Sequence, residues 1–191
     1  MTQEMQTRTS EYDFTFVLIG LRELTPEIVD GLLGSGCDDA TIAMRMGCFY
    51  ITFSRRAPSL KDAILSAIED IRKANVGVDV FRVDYCNLVT QAEIARRIGR
   101  SRQLVHQYMY GERGPGGFPP PVCGIVDEVP LWRWCEVAHW LRQNNMVKEE
   151  VFRDAEEIET INMVLDLMWQ KKTNPDLAMQ VIKSISPEIC R

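Results

Sequence analysis

From Tyr12 to Leu21 the residues YDFTFVLIGL are aromatic and β-branched with partial alternation, which predicts a strand. Thr25 and Pro26 then supply a helix cap and a first-turn proline. Ile28, Val29, Leu32 and Leu33 form the apolar stripe of a short helix that ends at Gly34-Ser35-Gly36. Two strands are expected around Ala40 to Met44 and Cys48 to Ser54, joined through Gly47 as a short hairpin. Ser59 caps a second helix in which Leu60, Ala63, Ile64, Ala67, Ile68 and Ile71 recur at helical spacing to about Ala74, and Val76 to Val83 reads as a last strand.

The order strand, helix, strand, strand, helix, strand is that of a ferredoxin-like βαββαβ sandwich over residues 12 to 85, behind a polar tail at 1 to 11. The fold names no activity. The segment has no histidine, its Gly34-Ser35-Gly36 does not fit a nucleotide-binding fingerprint, and Asp38-Asp39 reads as a turn rather than an acid pair. An oligomerisation, sensing or scaffolding role is expected of it.

Helical spacing returns between 86 and 145. Thr90 and Glu93 have the spacing of a capping box, followed by Ile94, Ala95 and Ile98, and Gly99 supplies the left-handed residue that stops a helix within one turn. Ser101 caps a second short helix, Arg102 to about Tyr110, with Leu104, Val105 and Tyr108 or Met109 inward. Two short helices hinged on a glycine turn make a helix-turn-helix, with small Ala95 at the crossing and Val105 as the plug. The outward set of the second helix is Ser101, Arg102, Gln103, His106, Gln107 and Tyr110. Arg bridges guanine bidentately, Gln does likewise with adenine, and Ser or Tyr holds phosphate oxygens. Thr90, Gln91, Arg100 and Arg113 complete the candidate DNA-binding residues. The proline- and glycine-rich run from Gly111 to Pro121 cannot be helix. A strand pair near Val122 and near Leu131 to Trp134 would make it part of a small wing, before a closing helix with Val137, Trp140 and Leu141 inward.

The ordered set Thr-x-Ala-Glu-Ile-Ala-x-x-Ile-Gly-x-Ser-Arg-x-x-Val-x-Gln, Phe-Pro-x-Pro-Val and Leu-Trp-Arg-Trp-x-Glu-Val-x-x-Trp-Leu, over about Asn87 to Leu141, resembles the winged helix-turn-helix of the MerR, excisionase and AlpA superfamily. The resemblance implies a second helix in the major groove, with Arg102 to Gln107 as its readers, and a wing on the backbone with Arg113. The wing here is long and glycine-rich, and the reader head follows another domain instead of leading the chain. Activation by promoter untwisting is therefore not carried over.

Residues 146 to 191 complete the α+β architecture with a helical hairpin. Val147, Val151, Ala155, Ile158, Ile161 or Asn162, Leu165 and Met168 form its stripe, Asn174-Pro175 breaks it, and Leu177, Val181, Ile182 and Ile185 continue it. Its apolar surface exceeds what it can bury in itself, so it is expected to fold back on the other domains or to pair with another chain.

Charge changes this picture only when divided. The 191 residues carry 22 basic and 27 acidic side chains, net −5, which read whole argues against a polyanion partner. Residues 86 to 145 hold 7 basic and 5 acidic side chains, with Arg96, Arg97, Arg100, Arg102 and Arg113 close together, so the acidity belongs to the flanks. The apolar run at Phe16 to Gly20 is far short of a bilayer span, and residues 1 to 11 hold no signal core, so a cytoplasmic protein with no membrane partner is expected. Cys37, Cys48, Cys86, Cys123, Cys135 and Cys190 form no Cys-x-x-Cys pair, and with His106 and His139 they suggest no metal; no cofactor is expected.

The function expected is that of a sequence-specific double-stranded DNA-binding transcriptional regulator, a repressor acting as a homodimer, and not an enzyme. Two other readings stand beside it: an antitoxin-type module that binds a protein partner through its N- or C-terminal domain, and a phage or mobile-element assembly factor of the excisionase or terminase small-subunit kind.

Overall fold

A computed structural model of the chain describes residues 9–185; the start of the expected polar tail, Cys190 and the last residues of the C-terminal segment lie outside the described residues. The chain is α+β and divides into two units, one comprising residues up to Asp84 together with those from Thr160, the other Tyr85–Glu159.

In the first unit the elements run β1 (Ser10–Ile19), α1 (Pro26–Gly34), β2 (Ala40–Arg45), β3 (Cys48–Ala57), α2 (Leu60–Ala74) and β4 (Asp79–Val83). The sheet order is β2-β3-β1-β4, every neighbour antiparallel. β1 starts two residues before the expected Tyr12, and β4 is shorter than the expected Val76–Val83. Asn75 and Gly77 take positive φ of 50° and 77°, which turns the chain where a strand was expected. Alternation selects the inner face: Phe14, Phe16 and Leu18 on β1 and Ile51 and Phe53 on β3 are buried with Ile64, Ile68 and Ile71 of α2. Phe14, Phe16 and Phe53 pack ring against ring at centroid distances of 5.3 to 5.8 Å, and each such burial contributes roughly 1.5–3 kcal/mol.

The inner face also holds one charge. Arg55 is buried and forks onto Asp39 at 2.8 and 2.9 Å, reaches Asp70 at 2.8 Å, and donates to the Gly36 carbonyl at 2.7 Å. Asp38 and Asp39 do form a turn, and Asp39 is spent on this guanidinium.

The second unit contains β5 (Leu88–Val89), α3 (Gln91–Arg97), α4 (Arg102–Met109), β6 (Trp132–Arg133) and α5 (Trp134–Gln143). Its core is Val89, Ile94, Ala95, Val105, Trp132, Trp134, Val137, Ala138, Trp140, Leu141 and Ala155. The strand pair expected near Val122 and near Leu131 to Trp134 is present as a short bridge, with the Val122 N–H on the Leu131 carbonyl at 2.8 Å and the Leu131 N–H on the Cys123 carbonyl at 3.0 Å; it does not extend to Trp132–Arg133, which pairs with Leu88–Val89. The indole of Trp132 thereby enters the core, and packing decides the pairing.

The helix α6 (Glu149–Thr173) begins in the second unit and ends in the first, and α7 (Pro175–Ile185) follows the break at Asn174. Of the alternatives Ile161 and Asn162, the buried position is Asn162, at 1% exposure. Its carboxamide accepts from the Val83 N–H at 2.8 Å and donates to the Val83 carbonyl at 3.1 Å, filling the hydrogen bonds that edge strand β4 turns away from β1. Trp169 meets Phe81 edge-on at 5.6 Å. Met168, expected inward, is exposed, as are Met163, Val164 and Leu167.

Candidate nucleic-acid interface

The second unit presents α4 beside α3, the two helices joined by a tight turn. Thr90 caps α3 by accepting the Glu93 N–H at 3.2 Å, and Ser101 caps α4 by accepting the Leu104 N–H at 3.2 Å. The turn between them closes with the Arg100 N–H on the Ala95 carbonyl at 2.9 Å and the Gly99 N–H on the Arg96 carbonyl at 3.2 Å, with Gly99 at φ +62°. This paired closure allows α4 to begin after only four intervening residues, 98 to 101. Across the turn, the Gln91 amide donates to the Arg102 carbonyl at 2.8 Å, so Gln91 fixes the first turn of α4 and its amide nitrogen is occupied.

Val105 is fully buried, and Leu104, Gln107, Tyr108 and Met109 are half-buried, which orients the rest of the helix. Ser101, Arg102, Gln103, His106 and Tyr110 are exposed, as are Thr90, Arg100 and Arg113. Gln107, expected outward, sits at the flank of this face. His106 and Tyr110 stack at 4.4 Å, forming a ring pair one turn apart. Among the described residues no ion pair occupies Arg100, Arg102 or Arg113.

The arginine cluster is smaller than the sequence count suggests. The Glu93 carboxylate does not turn back to complete a capping box; it takes Arg96 bidentately at 2.6 and 2.8 Å and Arg97 at 2.8 Å. These two guanidinium groups hold the Glu93 carboxyl far below its usual range, at about 2. Arg97 is 14% exposed, lies over the rings of Tyr85 and Trp134 at 4.8 and 4.9 Å, and donates to the Cys86 carbonyl at 3.0 Å. It is a packing residue. Arg96, with its side chain 73% exposed, keeps a solvent face but shares its charge with Glu93. Glu-x-x-Arg-Arg spacing, which sets one acid against bases three and four residues on, is the signal from which this neutralisation was readable.

The glycine- and proline-rich loop is tied down. The Trp140 indole N–H donates to the Gly116 carbonyl at 2.9 Å, that of Trp132 to the Pro119 carbonyl at 3.1 Å, and Phe118 packs edge-on to Trp140 at 5.0 Å. What projects is the next turn, closed by the Cys123–Leu131 bridge and by the Val129 N–H on the Gly124 carbonyl at 3.0 Å. A side chain at Gly124 would collide with the Val129 carbonyl. The tip carries Ile125 and Val126, 64% and 93% exposed, beside Asp127 and Glu128, and no base. Arg113 is not on this tip. Its N–H bonds to the Gln107 carbonyl at 3.2 Å, which seats it at the end of α4.

A cleft of about 460 Å³ opens beside Pro119, Cys135, His139, Trp140 and Phe152. Burial, reinforced by the Glu159 carboxylate, pushes the Cys135 thiol up to about 12, which keeps it protonated at neutral pH. His139 is bonded to Gln143 at 2.8 Å and packs on Phe152 at 5.0 Å. Among the described residues no group of three or more His, Cys, Asp or Glu is placed to hold a metal ion, and no helix is long and apolar enough to cross a membrane. No family model, no curated protein and no solved structure matches the chain.

Proposed function

We propose that the chain is a sequence-specific double-stranded DNA-binding transcriptional regulator of the cytoplasm, a repressor acting as a dimer. In this reading Tyr85–Glu159 is a winged helix-turn-helix and the βαββαβ unit is a ferredoxin-like assembly or sensing domain. The observation that carries it is the exposed face of α4. Arg102, Gln103 and His106 stand clear of the core on a helix whose opposite side is plugged by Val105, and Arg100 and Arg102 carry charges that no described acid takes up. A helix so presented fits a major groove, where Arg reads guanine and Gln reads adenine, while Ser101, Thr90 and Tyr110 offer hydroxyl groups to phosphates. Gln91 serves by positioning α4, and Arg113 reaches the backbone from the end of α4.

The test is retention of genomic fragments. Sheared DNA from the source organism is incubated with the full chain at physiological salt and the retained pieces are sequenced. A small set sharing a short motif is expected; retention uniform across the genome, or none, would reject the reading.

The acidic, apolar tip at Ile125 to Glu128 supports a second reading, that of a DNA-bound assembly factor whose projecting turn holds a protein instead of a phosphate. Removal of that tip would leave DNA binding unchanged and abolish assembly under this reading; assembly that survives the deletion would reject it.

A further inference from the structure

The two edges of the βαββαβ sheet are treated differently. At the β4 edge the Asn162 carboxamide occupies both the N–H and the carbonyl of Val83. At the other edge lies β2, with no strand beyond it among the described residues. Its pairing with β3 runs without a break from Ala40↔Phe53 to Arg45↔Cys48. The connection is a two-residue turn in which Met46 and Gly47 have φ of 54° and 77°, the geometry in which the flanking residues form a hydrogen-bonded pair. The alternation that follows is confirmed at the far end by the Ser54 N–H on the Asp39 carbonyl at 3.1 Å. Residues 39, 41, 43 and 45 therefore face β3, and Ala40, Ile42 and Met44 turn their N–H and carbonyl groups outward.

Edges of this kind are normally blunted by a proline, a lysine, a bulge or an inward charge. β2, with the sequence ATIAMR, has none of these within the strand; Arg45 stands at its end. We propose that β2 pairs with β2 of a second copy of this chain, antiparallel about a two-fold axis at Ile42, joining the two sheets into one.

The register is self-complementary. Centring on Ile42 sets Ile42 against its own copy and Ala40 against Met44, so all three outward residues find partners, with about six N–H···O bonds. Small Ala40 lies beside long Met44, whose side chain is exposed to 63% in the single chain. The same register brings Arg45 opposite Asp39 of the second copy. Asp39 and Asp70 are already met by Arg55 and Lys73, so the added guanidinium makes a further contact with a carboxylate that is already paired. Shifting the centre by one residue would place Arg45 opposite Cys37 or Thr41 and lose that contact. The pairing is isologous and closed, which gives a dimer and not a filament. It rests on the first unit alone and stands apart from the DNA-reading proposal, for which it supplies the two-fold symmetry.

The test is the mass of the full chain by size-exclusion chromatography with light scattering, across the micromolar range and without DNA. The wild type is expected as a dimer. Ile42→Pro removes an N–H that faces away from β3 and is expected to give a monomer with an unchanged circular dichroism spectrum. Arg45→Glu, at an exposed position that does not touch the core, is expected to weaken the dimer about tenfold and keeps the test open should Ile42→Pro fail to fold. A wild-type monomer throughout, or a dimer equally tight in both variants, would overturn the proposal. A monomer that still selects DNA would sink this inference while leaving the DNA reading intact, and a dimer without DNA affinity would do the reverse.

Discussion

Arg102 and Glu93 divide the electrostatic work of the α3–α4 frame. Arg102 is free to reach a base edge, and Arg102→Ala is expected to cost about 1–3 kcal/mol of specific binding and to relax preference at one base position, read by fluorescence anisotropy on a selected site. An unchanged midpoint with unchanged preference would refute its role. Glu93 does the opposite, cancelling charge. Glu93→Gln is expected to release Arg96 toward phosphates, raising non-specific affinity and steepening its salt dependence by about one phosphate contact. It also tests stability. Because folding lowers the Glu93 carboxyl from an ordinary 4.5 to about 2, its contribution is complete above 4.5 and fades as pH falls toward 2. Wild type should therefore lose more thermal midpoint between those pH values than Glu93→Gln does; parallel curves would contradict this. At this scale the outward set of α4, Gln107 apart, was legible, because one buried Val105 fixes a helical face. The ring packing of Arg97 and the bonds of Gln91 and Asp39 were not, since each depends on a partner that only the folded chain brings near: Tyr85 and Trp134, the Arg102 carbonyl, and Arg55.

Whole elements were more readable than their pairings. Caps at Ser59, Thr90 and Ser101 mark helix starts in the sequence and accept the expected N–H groups in the structure. The position of Trp132–Arg133 beside Leu88–Val89 was not legible, because two-residue strands carry no period and are placed by the burial of Trp132 and Trp134. Asn162 is a comparable case: a polar residue on an apolar stripe whose meaning appears only with the edge of β4. Asn162→Leu would leave the Val83 N–H and carbonyl buried without partners, and is expected to lower unfolding free energy by about 2–4 kcal/mol in denaturant titration. A loss under about 0.5 kcal/mol would show that water or another group takes its place. Gly99→Ala places a side chain at φ +62° with nothing nearby to strike, so only backbone strain acts and about 1 kcal/mol is expected.

For the molecule as a whole, net charge is a poor guide and its distribution a better one. The surplus acids lie outside 86 to 145, and within that segment Glu93 offsets Arg96 and Arg97, so few free cations remain. Non-specific duplex binding is therefore expected to be weak, falling with salt at a slope of only about two to four released counterions. Tight binding to random duplex at physiological salt would contradict this distribution. Under the proposed reading, useful affinity comes from base contacts and from two heads acting together, which links the face of α4 to the edge of β2. The most direct test is selection from a randomised duplex library with the full chain and with Arg102→Ala in parallel, the bound pools being sequenced. A short motif repeated about a two-fold axis, with preference lost in Arg102→Ala at one position of each half, is the predicted result; pools no more enriched than the input, or one identical motif from both proteins, would contradict the account.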